Sequence, residues 1–370
     1  MSGPLKGIKI VEFSGIGPGP FCGMVLADMG AEVIKVDRLS KLGSGNSLDF
    51  QSRSKLSITA DLKDKNTIKE IKKLIKQVDA VFEGFRPGVM ERLGLGPKDC
   101  LKENPNLVYG RMTGWGQSGP LSSYAGHDIN YIALTGALHS IGKKDENPPP
   151  PLNLIGDYGG GGMFLALGIL AAILNVKNGG KGQTVDAAMV DGASLLMTMF
   201  YAFKASGFWN EERQSNLLDG GAHFYDTYKC KDDKYLSVGS IEPQFYEILI
   251  DKLDLDKEMF KNQMDKSNWN NLKKDIANRI LTKTRDEWTQ IFENTDACVA
   301  PVLDLSEAPD HSHLKDRQTF IEIDGHMQPA PAPRFSETTQ GVQHPPPKIG
   351  DHNKKIAKEF SLDLGCFTKE

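Results

Sequence analysis

The chain has 370 residues, of which 39% are hydrophobic and 25% charged, and this composition excludes collagen, wholesale disorder and a disulfide scaffold. Its 44 Lys and Arg residues nearly balance 48 Asp and Glu residues, and the net charge of −4 excludes an overall basic nucleic-acid-binding protein. The length allows two domains or one large one. The five cysteines contain no CxxC pair, which favours free thiols in a reducing compartment.

The two ends of the chain and one apolar stretch bear on where the protein works. The polar residues 1–6 run directly into an apolar strand, which is not the pattern of a signal peptide. Residues 367–370 are not a peroxisomal tripeptide. Residues 158–176 are uncharged, but their glycine-rich start favours a buried core helix. We expect an intracellular, soluble protein without a membrane span; peroxisome, mitochondrion and cytoplasm all stay open.

In the first half of the chain, predicted strands alternate with predicted helices. Apolar runs predict strands at residues 7–13, 31–37, 79–85, 106–113 and 183–187. Apolar or amphipathic stretches predict helices at residues 20–30, 68–77, 127–139, 157–176 and 189–204. This alternation is typical of a parallel sheet covered by helices.

Beyond about residue 205 the pattern changes to that of a smaller α+β domain. Residues 225–238 predict a hairpin with its turn at 231–234, and residues 243–253 and 269–283 predict short amphipathic helices. The proline-rich end of the chain predicts extended connectors or loops. We therefore predict a large α/β domain over 1–187, a helical linker over 188–220, a small α+β domain over 221–307 and a proline-rich segment over 308–370.

One glycine-rich turn invites comparison with a dinucleotide-binding site. The sequence GIGPGP over 15–20 follows the first predicted strand, and Asp37 ends the second strand about 20 residues later. Neither register of G-x-G-x-x-G fits, because Pro20 or Cys22 occupies the position of the last glycine. Prolines also lack the backbone N–H groups that bind a pyrophosphate. We predict a glycine turn that leads into a helix, with no nicotinamide or flavin cofactor.

Three titratable residues stand at predicted helix starts. His127 opens the helix 127–139, where the positive end of the helix dipole favours a neutral imidazole able to accept a proton. Asp157 is predicted to cap the long apolar helix, and the four glycines that follow it make sense if something approaches the backbone closely. Glu242 lies between a strand and a helix of the small domain. A purely structural role stays open for all three.

Cationic side chains gather near the ends of the first strands. Arg38 directly follows a predicted strand, and Lys63, Arg86 and Arg92 come later, Arg92 being the most readily explained as surface charge. Strand ends in an open α/β sheet face the ligand crevice, and arginine suits a phosphate-bearing ligand. The sequence HSH over 311–313 has no further ligands nearby, so we predict no metal site.

Several longer stretches are characteristic of one family. They are GPGPFCGMVLADMGAEVIKVDR, FRPGVMERLGLGP, GWGQSGP, AGHDINYIALTGAL, PLNLIGDYGGGGM, GKGQTVDAAMVDG, VGSIEPQFYE and TDACVAPVL. In these stretches, which span nearly the whole chain, the sequence resembles the α-methylacyl-CoA racemases of the family III CoA-transferase group. The resemblance implies a Rossmann-like large domain with a smaller α+β domain, an interlocked homodimer, and a C-terminal segment that returns to the large domain.

The resemblance also implies roles for individual residues. His127 and Asp157 would be the catalytic acid–base pair, with Glu242 as partner of the histidine. The acyl-CoA substrate would contact Arg38, Ala60, Asp61, Leu62, Lys63, Arg86, Gly126, Asp128, Asn130, Tyr131 and Asn153. CoA is then part of the substrate, so no cofactor and no metal are expected.

These residues suit racemisation of a 2-methylacyl-CoA at the carbon α to the thioester. The reaction removes a proton from one face of an enolate and returns one to the other, which requires two acid–base groups. Backbone N–H groups such as that of Asp128 would stabilise the oxyanion. The alternative is a family III CoA-transferase in which Asp157 is a nucleophile, a reaction that needs no base at His127. A non-catalytic CoA-binding protein would not need His127, Asp157 and Glu242 together. The preferred acyl chain stays open.

Overall fold

The computed structural model describes residues 2–13 and 15–368, which form two compact units. The first unit contains the described residues up to Thr135, Pro151–Leu196 and the described residues from Asp316 onward. The second unit contains Gly136–Pro150 and Met197–Lys315.

The first unit is built on a six-stranded parallel sheet. Its strands are β1 (Lys9–Phe13), β2 (Glu32–Arg38), β3 (Leu56–Ala60), β4 (Ala80–Glu83), β5 (Val108–Thr113) and β6 (Gln183–Ala188). The order across the sheet is β3-β2-β1-β4-β5-β6, the order of Rossmann-like folds. The predicted α/β class is therefore confirmed, although the sequence analysis missed β3.

Helices cover both faces of this sheet. They are α1 (Pro18–Asp28), α2 (Lys65–Ile75), α3 (Val89–Arg92), α4 (Pro97–Glu103), α5 (Asp128–Ala133), α6 (Met163–Lys177) and α7 (Met189–Leu196). Neighbouring residues of a strand point to opposite faces. Accordingly, Val11 packs in a cluster with Leu74 of α2, whereas Ile10 packs in a second cluster with Leu26 of α1 and Ile169 of α6. All five side chains are fully buried.

The long apolar stretch begins as a π-helical segment, Leu154–Gly162, and continues as α6. Among the described residues, this is the one helix long and apolar enough to cross a membrane by length and composition. Leu165 and Ile169 are fully buried in the cluster that covers the sheet, whereas Met163, Leu167 and Leu174 are exposed. The stretch is therefore a core helix of the first unit with one exposed apolar side.

Close helix packing explains the glycines at residues 159–162. A Cβ on Gly160 would lie 2.6 Å from the backbone nitrogen of Ala193 in α7. A Cβ on Gly162 would lie 2.7 Å from the carbonyl oxygen of Pro18 in α1. The glycines thus permit two other helices, α7 and α1, to approach the segment closely.

The packing is tightest at Gly192 of α7, where a Cβ would overlap the carbonyl oxygen of Gly160. We expect Gly192→Ala to lower the free energy of unfolding by about 1–3 kcal/mol, because an overpacked contact displaces the backbone. Gly341→Ala is the matched control, since a Cβ there meets nothing within 4 Å. Urea unfolding of both variants measures the difference. Equal stability of the two variants would contradict this account of the glycines.

The second unit has its own antiparallel sheet and core. Its strands are β7 (Tyr225–Lys229), β8 (Tyr235–Gly239) and β9 (Val299–Val302) in the order β7-β8-β9. Its helices are α8 (Thr198–Ala205), α9 (Pro243–Leu253), α10 (Lys257–Phe260), α11 (Trp269–Ile280), α12 (Arg285–Phe292) and α13 (Ser312–Asp316), whose last residue already belongs to the first unit. The β7–β8 hairpin and the predicted helices are present. The predicted helix 189–204, however, is divided into α7 and α8, because Met197 leaves helical geometry with ψ of 3°.

The proline-rich end of the chain supports β3. It contains a hairpin of β10 (Phe320–Ile323) and β11 (His326–Pro329) and the helix α14 (Asn353–Glu359), which the sequence analysis did not predict. The proline-rich residues 330–350 between them are irregular, as predicted. The backbone N–H of Ser57 donates to Nδ1 of His352 at 3.1 Å, and that of Thr59 donates to Oδ1 of Asn353 at 2.9 Å. The free edge of β3 is thereby covered, and its hydrogen-bonding groups are satisfied.

Candidate active site

Two cavities open at the carboxyl ends of the strands, the edge at which open α/β sheets bind ligands. The β2–β3 cavity has a volume of about 950 Å³ and lies at the ends of β1, β2 and β3. It brings together a group of the predicted CoA-binding residues: Arg38, Ala60, Asp61, Leu62 and Lys63. Because β2 and β3 are neighbouring parallel strands, residues 38 and 60 are direct register partners.

The side chains that carry positive charge at this edge are available to a ligand. Arg38, Lys63 and Arg86 are all exposed. Within residues 2–13 and 15–368, none of the three takes part in an ion pair. An unpaired guanidinium or ammonium group beside a cavity suits a phosphate-bearing molecule.

The second cavity, the His127 cavity, has a volume of about 740 Å³. It shares Phe13, Arg38 and Phe85 with the β2–β3 cavity, so the two adjoin. Its lining contains six further residues of the predicted site together with two aromatic neighbours, Trp115 and Tyr158; the six are Arg86, Gly126, His127, Tyr131, Asn153 and Asp157. The structure therefore places both predicted acid–base residues on one cavity, beside a cationic one.

His127 is the residue immediately before α5. Its backbone is extended and its N–H donates to Oδ1 of Asn130 at 3.0 Å, so Asn130 closes the start of the helix. The imidazole is exposed and lines the cavity. The predicted helix 127–139 is shorter than expected, because α5 ends at Ala133 and Gly136 turns the chain with φ of +83°.

Asp157 lies inside the π-helical segment, so the prediction that it caps the helix was wrong. The N-cap position of the segment is occupied by Asn153. A π-helical turn is frequent at functional sites. Burial raises the pKa of the half-buried Asp157 carboxyl, although Nδ2 of Asn153 donates to its Oδ2 at 3.1 Å and acts in the opposite direction. A carboxyl with a raised pKa exchanges protons more readily near neutral pH. Gly17 faces this group: a Cβ there would lie 2.9 Å from Oδ2 of Asp157.

Two further members of the predicted substrate-binding set support the site instead of lining the cavity. Oδ2 of Asp128 accepts a hydrogen bond from the backbone N–H of Asp157 at 2.7 Å, and Asn130 binds the backbone of His127. Tyr131 does line the cavity, and its hydroxyl donates to the carbonyl oxygen of Gly126.

The sequence analysis missed Trp115, which lines the His127 cavity, and a buried ion pair between Glu83 and Arg111, which lines neither of the two cavities. Trp115 meets the ring of Tyr131 edge-on at 4.8 Å. Glu83 is buried at the end of β4, where it accepts hydrogen bonds from Nε of Arg111 at 3.2 Å and from the backbone N–H of Phe85 at 2.6 Å. Burial raises the pKa of Glu83 to about 7. Glu83 and Arg111 are charged residues inside the apolar strand sequences DAVFEGF and NLVYGRMT, and this feature could have indicated the pair.

The last two points of the sequence analysis concern Glu242 and metal binding. Glu242 is exposed in the second unit and directly precedes α9. In the described part of the chain, no group of three or more His, Cys, Asp or Glu side chains is arranged to hold a metal ion.

Sequence comparison relates the chain to one family. Residues 5–353 match CoA-transferase family III. The α-methylacyl-CoA racemase of Mus musculus is 45% identical over 361 residues, which cover 97% of this chain and 93% of the mouse protein. The corresponding racemase of Homo sapiens is 45% identical over 97% of this chain and 94% of its own length. The succinyl-CoA:glutarate CoA-transferase of Mus musculus is 29% identical over 99% of this chain and 88% of its own length.

Solved structures show the same architecture. A CaiB/BaiF family protein from Brucella suis superposes with a TM-score of 0.81 at 25% identity, covering 97% of this chain and all of that chain. The protein Rv3272 of Mycobacterium tuberculosis superposes with a TM-score of 0.80 at 26% identity, covering 96% of this chain and 99% of that chain. The family resemblance inferred from the sequence is thus confirmed.

Proposed function

The chain belongs to CoA-transferase family III, and within that family we propose that it is an α-methylacyl-CoA racemase that inverts the α-carbon of 2-methylacyl-CoA thioesters. The observation that carries this proposal is the His127 cavity, where an imidazole and a carboxyl with a raised pKa line one space beside a cationic cavity. The 45% identity to two mammalian racemases over 97% of the chain supports it.

The proposed mechanism is a proton transfer between two groups. One of His127 and Asp157 removes the α-proton, the C–H electron pair moves into the enolate, and the other group donates a proton to the opposite face. For the opposite enantiomer the two roles are exchanged. The thioester acidifies the α-carbon, so we assign no step to a metal or cofactor. Backbone N–H groups at the start of α5 are assigned to the developing oxyanion, where one donor typically contributes about 3–4 kcal/mol. Glu242 is assigned to the orientation of His127.

The CoA moiety is assigned to the β2–β3 cavity, with its phosphates near Arg38, Lys63 and Arg86. We expect Arg38→Ala to raise KM for the acyl-CoA by on the order of tenfold and to change kcat little, because it removes binding that ground state and transition state share. Lys315→Ala, a change of an exposed cation on α13, is the control. Initial rates against substrate concentration give both constants. A lowered kcat at unchanged KM would contradict the assignment.

The second candidate is a CoA-transferase with Asp157 as the attacking nucleophile. It is favoured by the position of Asp157 on an open cavity and by the 29% identity to a succinyl-CoA:glutarate CoA-transferase. The presence of His127 on the same cavity supports the racemase instead, since a transferase needs no base there.

Incubation of the purified protein with one pure 2-methylacyl-CoA enantiomer, in the absence of any carboxylic acid, separates the two functions. We expect chiral analysis to show the second enantiomer. Conversion that depends strictly on an added carboxylate acceptor, with CoA appearing on that acceptor, would establish the transferase and refute the racemase.

We assign the exposed apolar side of the first unit to the interface of a homodimer. Met163, Leu167 and Leu174 follow one side of α6, and Leu195 and Leu196 are exposed at the end of α7. Exposed apolar side chains on one side of a helix are typical of an interaction surface. Sedimentation equilibrium should give a particle of two chains, and Leu167→Lys should shift it toward one chain. A monomer at all concentrations would contradict the assignment.

A further inference from the structure

The carboxylate of Asp128 lies between the elements that carry the two assigned bases. The residue directly follows His127 and is the first residue of α5. Its side chain is buried, with 6% exposure, and Oδ2 accepts the backbone N–H of Asp157 at 2.7 Å. One side chain therefore connects the backbone of Asp157 to the start of the helix that follows His127.

The carboxylate of Asp128 has little space at one oxygen and, in the described part of the chain, no hydrogen-bond donor at the other. A Cβ at Gly156 would lie 2.6 Å from Oδ2 of Asp128, so a larger residue at 156 would displace the carboxylate. The other oxygen, Oδ1, accepts no hydrogen bond from a described protein group, and no ion pair to Asp128 occurs among the described residues. Burying a carboxylate without full pairing is unfavourable. A neutral asparagine could accept the same hydrogen bond, so stability alone does not account for the charge.

The charge acts on the neighbouring acid–base group. Burial is the largest cause of the raised pKa of Asp157, and the negative charge of Asp128 adds to it. The pKa of Tyr131 is likewise raised by burial first and then by Asp157 and Asp128. A like charge close to a carboxylate favours its protonated form.

We propose that Asp128 is a positioning residue for racemisation: its carboxylate fixes Asp157 relative to the His127 backbone, and its charge tunes proton transfer at Asp157. This inference rests on the proposed function. It assigns the side chain of Asp128 a role separate from that of its backbone N–H group.

Two substitutions separate geometry from charge. Asp128→Asn keeps an oxygen that can accept the N–H of Asp157 but removes the charge. Asp128→Ala removes both. Asp324→Asn is the matched control, because it makes the same chemical change at an exposed turn. Thermal unfolding and near-ultraviolet circular dichroism identify any variant that fails to fold.

The main measurement is α-proton exchange in deuterated buffer, followed against pH for the enantiomer on the Asp157 side. Asp157 acts as a base when ionised, so exchange rises with pH through its pKa. Removing the neighbouring negative charge lowers that pKa, and the acidic limb should move to lower pH in Asp128→Asn but not in Asp324→Asn. Asp128→Ala should in addition lose on the order of tenfold to a hundredfold in exchange rate, because small misplacement of a reacting group is costly.

A second readout does not depend on activity. Titration of the Asp157 carboxyl, followed by ¹³C NMR with Asp157→Asn for assignment, should show a lower midpoint in Asp128→Asn. An unmoved midpoint overturns this proposal whether or not the wild-type protein racemises. Loss of rate in Asp128→Asn with an unmoved acidic limb also overturns it and leaves only a structural role. If the midpoint moves in Asp128→Asn but the wild-type protein does not racemise, the proposed function is refuted and the coupling of the two carboxyls stands.

Discussion

Replacing His127 by alanine is expected to abolish racemisation in both directions, with a loss on the order of 10²–10⁴ in rate. Exchange of the α-proton should survive for one enantiomer, because Asp157 can still remove and return a proton on its own face. The physical reason is that the enolate plane separates the two faces, so a proton lost on one face cannot be replaced from the other. The measurement is mass spectrometry of each pure enantiomer after incubation in deuterated water.

The controls for this experiment follow from the chain itself. His313→Ala changes an exposed histidine of α13 and should leave racemisation and exchange unchanged. Glu242→Gln should be milder than His127→Ala, since it removes only the group assigned to orient the histidine. Full racemisation by His127→Ala would exclude the histidine as a base.

Replacing Asp157 by asparagine should give the mirror result. We expect racemisation to be lost to a similar extent, and exchange to survive only for the enantiomer that His127 deprotonates. Asparagine keeps the size of the side chain, so the hydrogen bond from the Asp157 backbone N–H to Asp128 is preserved and only the titrating group is lost. Asp324→Asn serves as the matched control at an exposed turn.

The pattern across the two variants decides the mechanism. If His127→Ala and Asp157→Asn retain exchange of opposite enantiomers, the two residues serve opposite faces. If both variants retain exchange of the same enantiomer, the two residues share a face and the two-base scheme is wrong.

Much of the sheet could be predicted from the sequence, and the missing strand shows why the rest could not. Apolar runs such as GIKIVEF indicate buried parallel strands directly. In β3, by contrast, polar Ser57 and Thr59 are buried among apolar residues. Ser57 Oγ accepts the N–H of Gly350 at 3.1 Å, and Oγ1 of Thr59 donates to the carbonyl oxygen of Phe367 at 2.6 Å. These partners lie about 300 residues away in the chain, so no local pattern indicates them.

In the candidate site, too, some features could be predicted from the sequence and others could not. The position of Arg38 at a strand end predicts that it faces the ligand crevice, and the family resemblance implies that His127 and Asp157 belong to the active site. All three residues line the two cavities. The conformation around Asp157 could not be predicted from the local sequence: Gly160 and Gly162 of the same π-helical segment pack against α7 and α1, which are distant in the chain. The supporting contact of Asp128 also joins residues from separate segments, 29 positions apart.

The most direct test of the central claim follows wild-type protein at early conversion of one pure 2-methylacyl-CoA enantiomer in deuterated water, without a carboxylic acid. The two-base account predicts that every molecule of the inverted product carries one solvent-derived deuterium at the α-carbon, with the thioester intact. Inverted product that retains the original α-hydrogen would contradict transfer between two groups. No inversion without an acceptor acid would contradict the racemase itself.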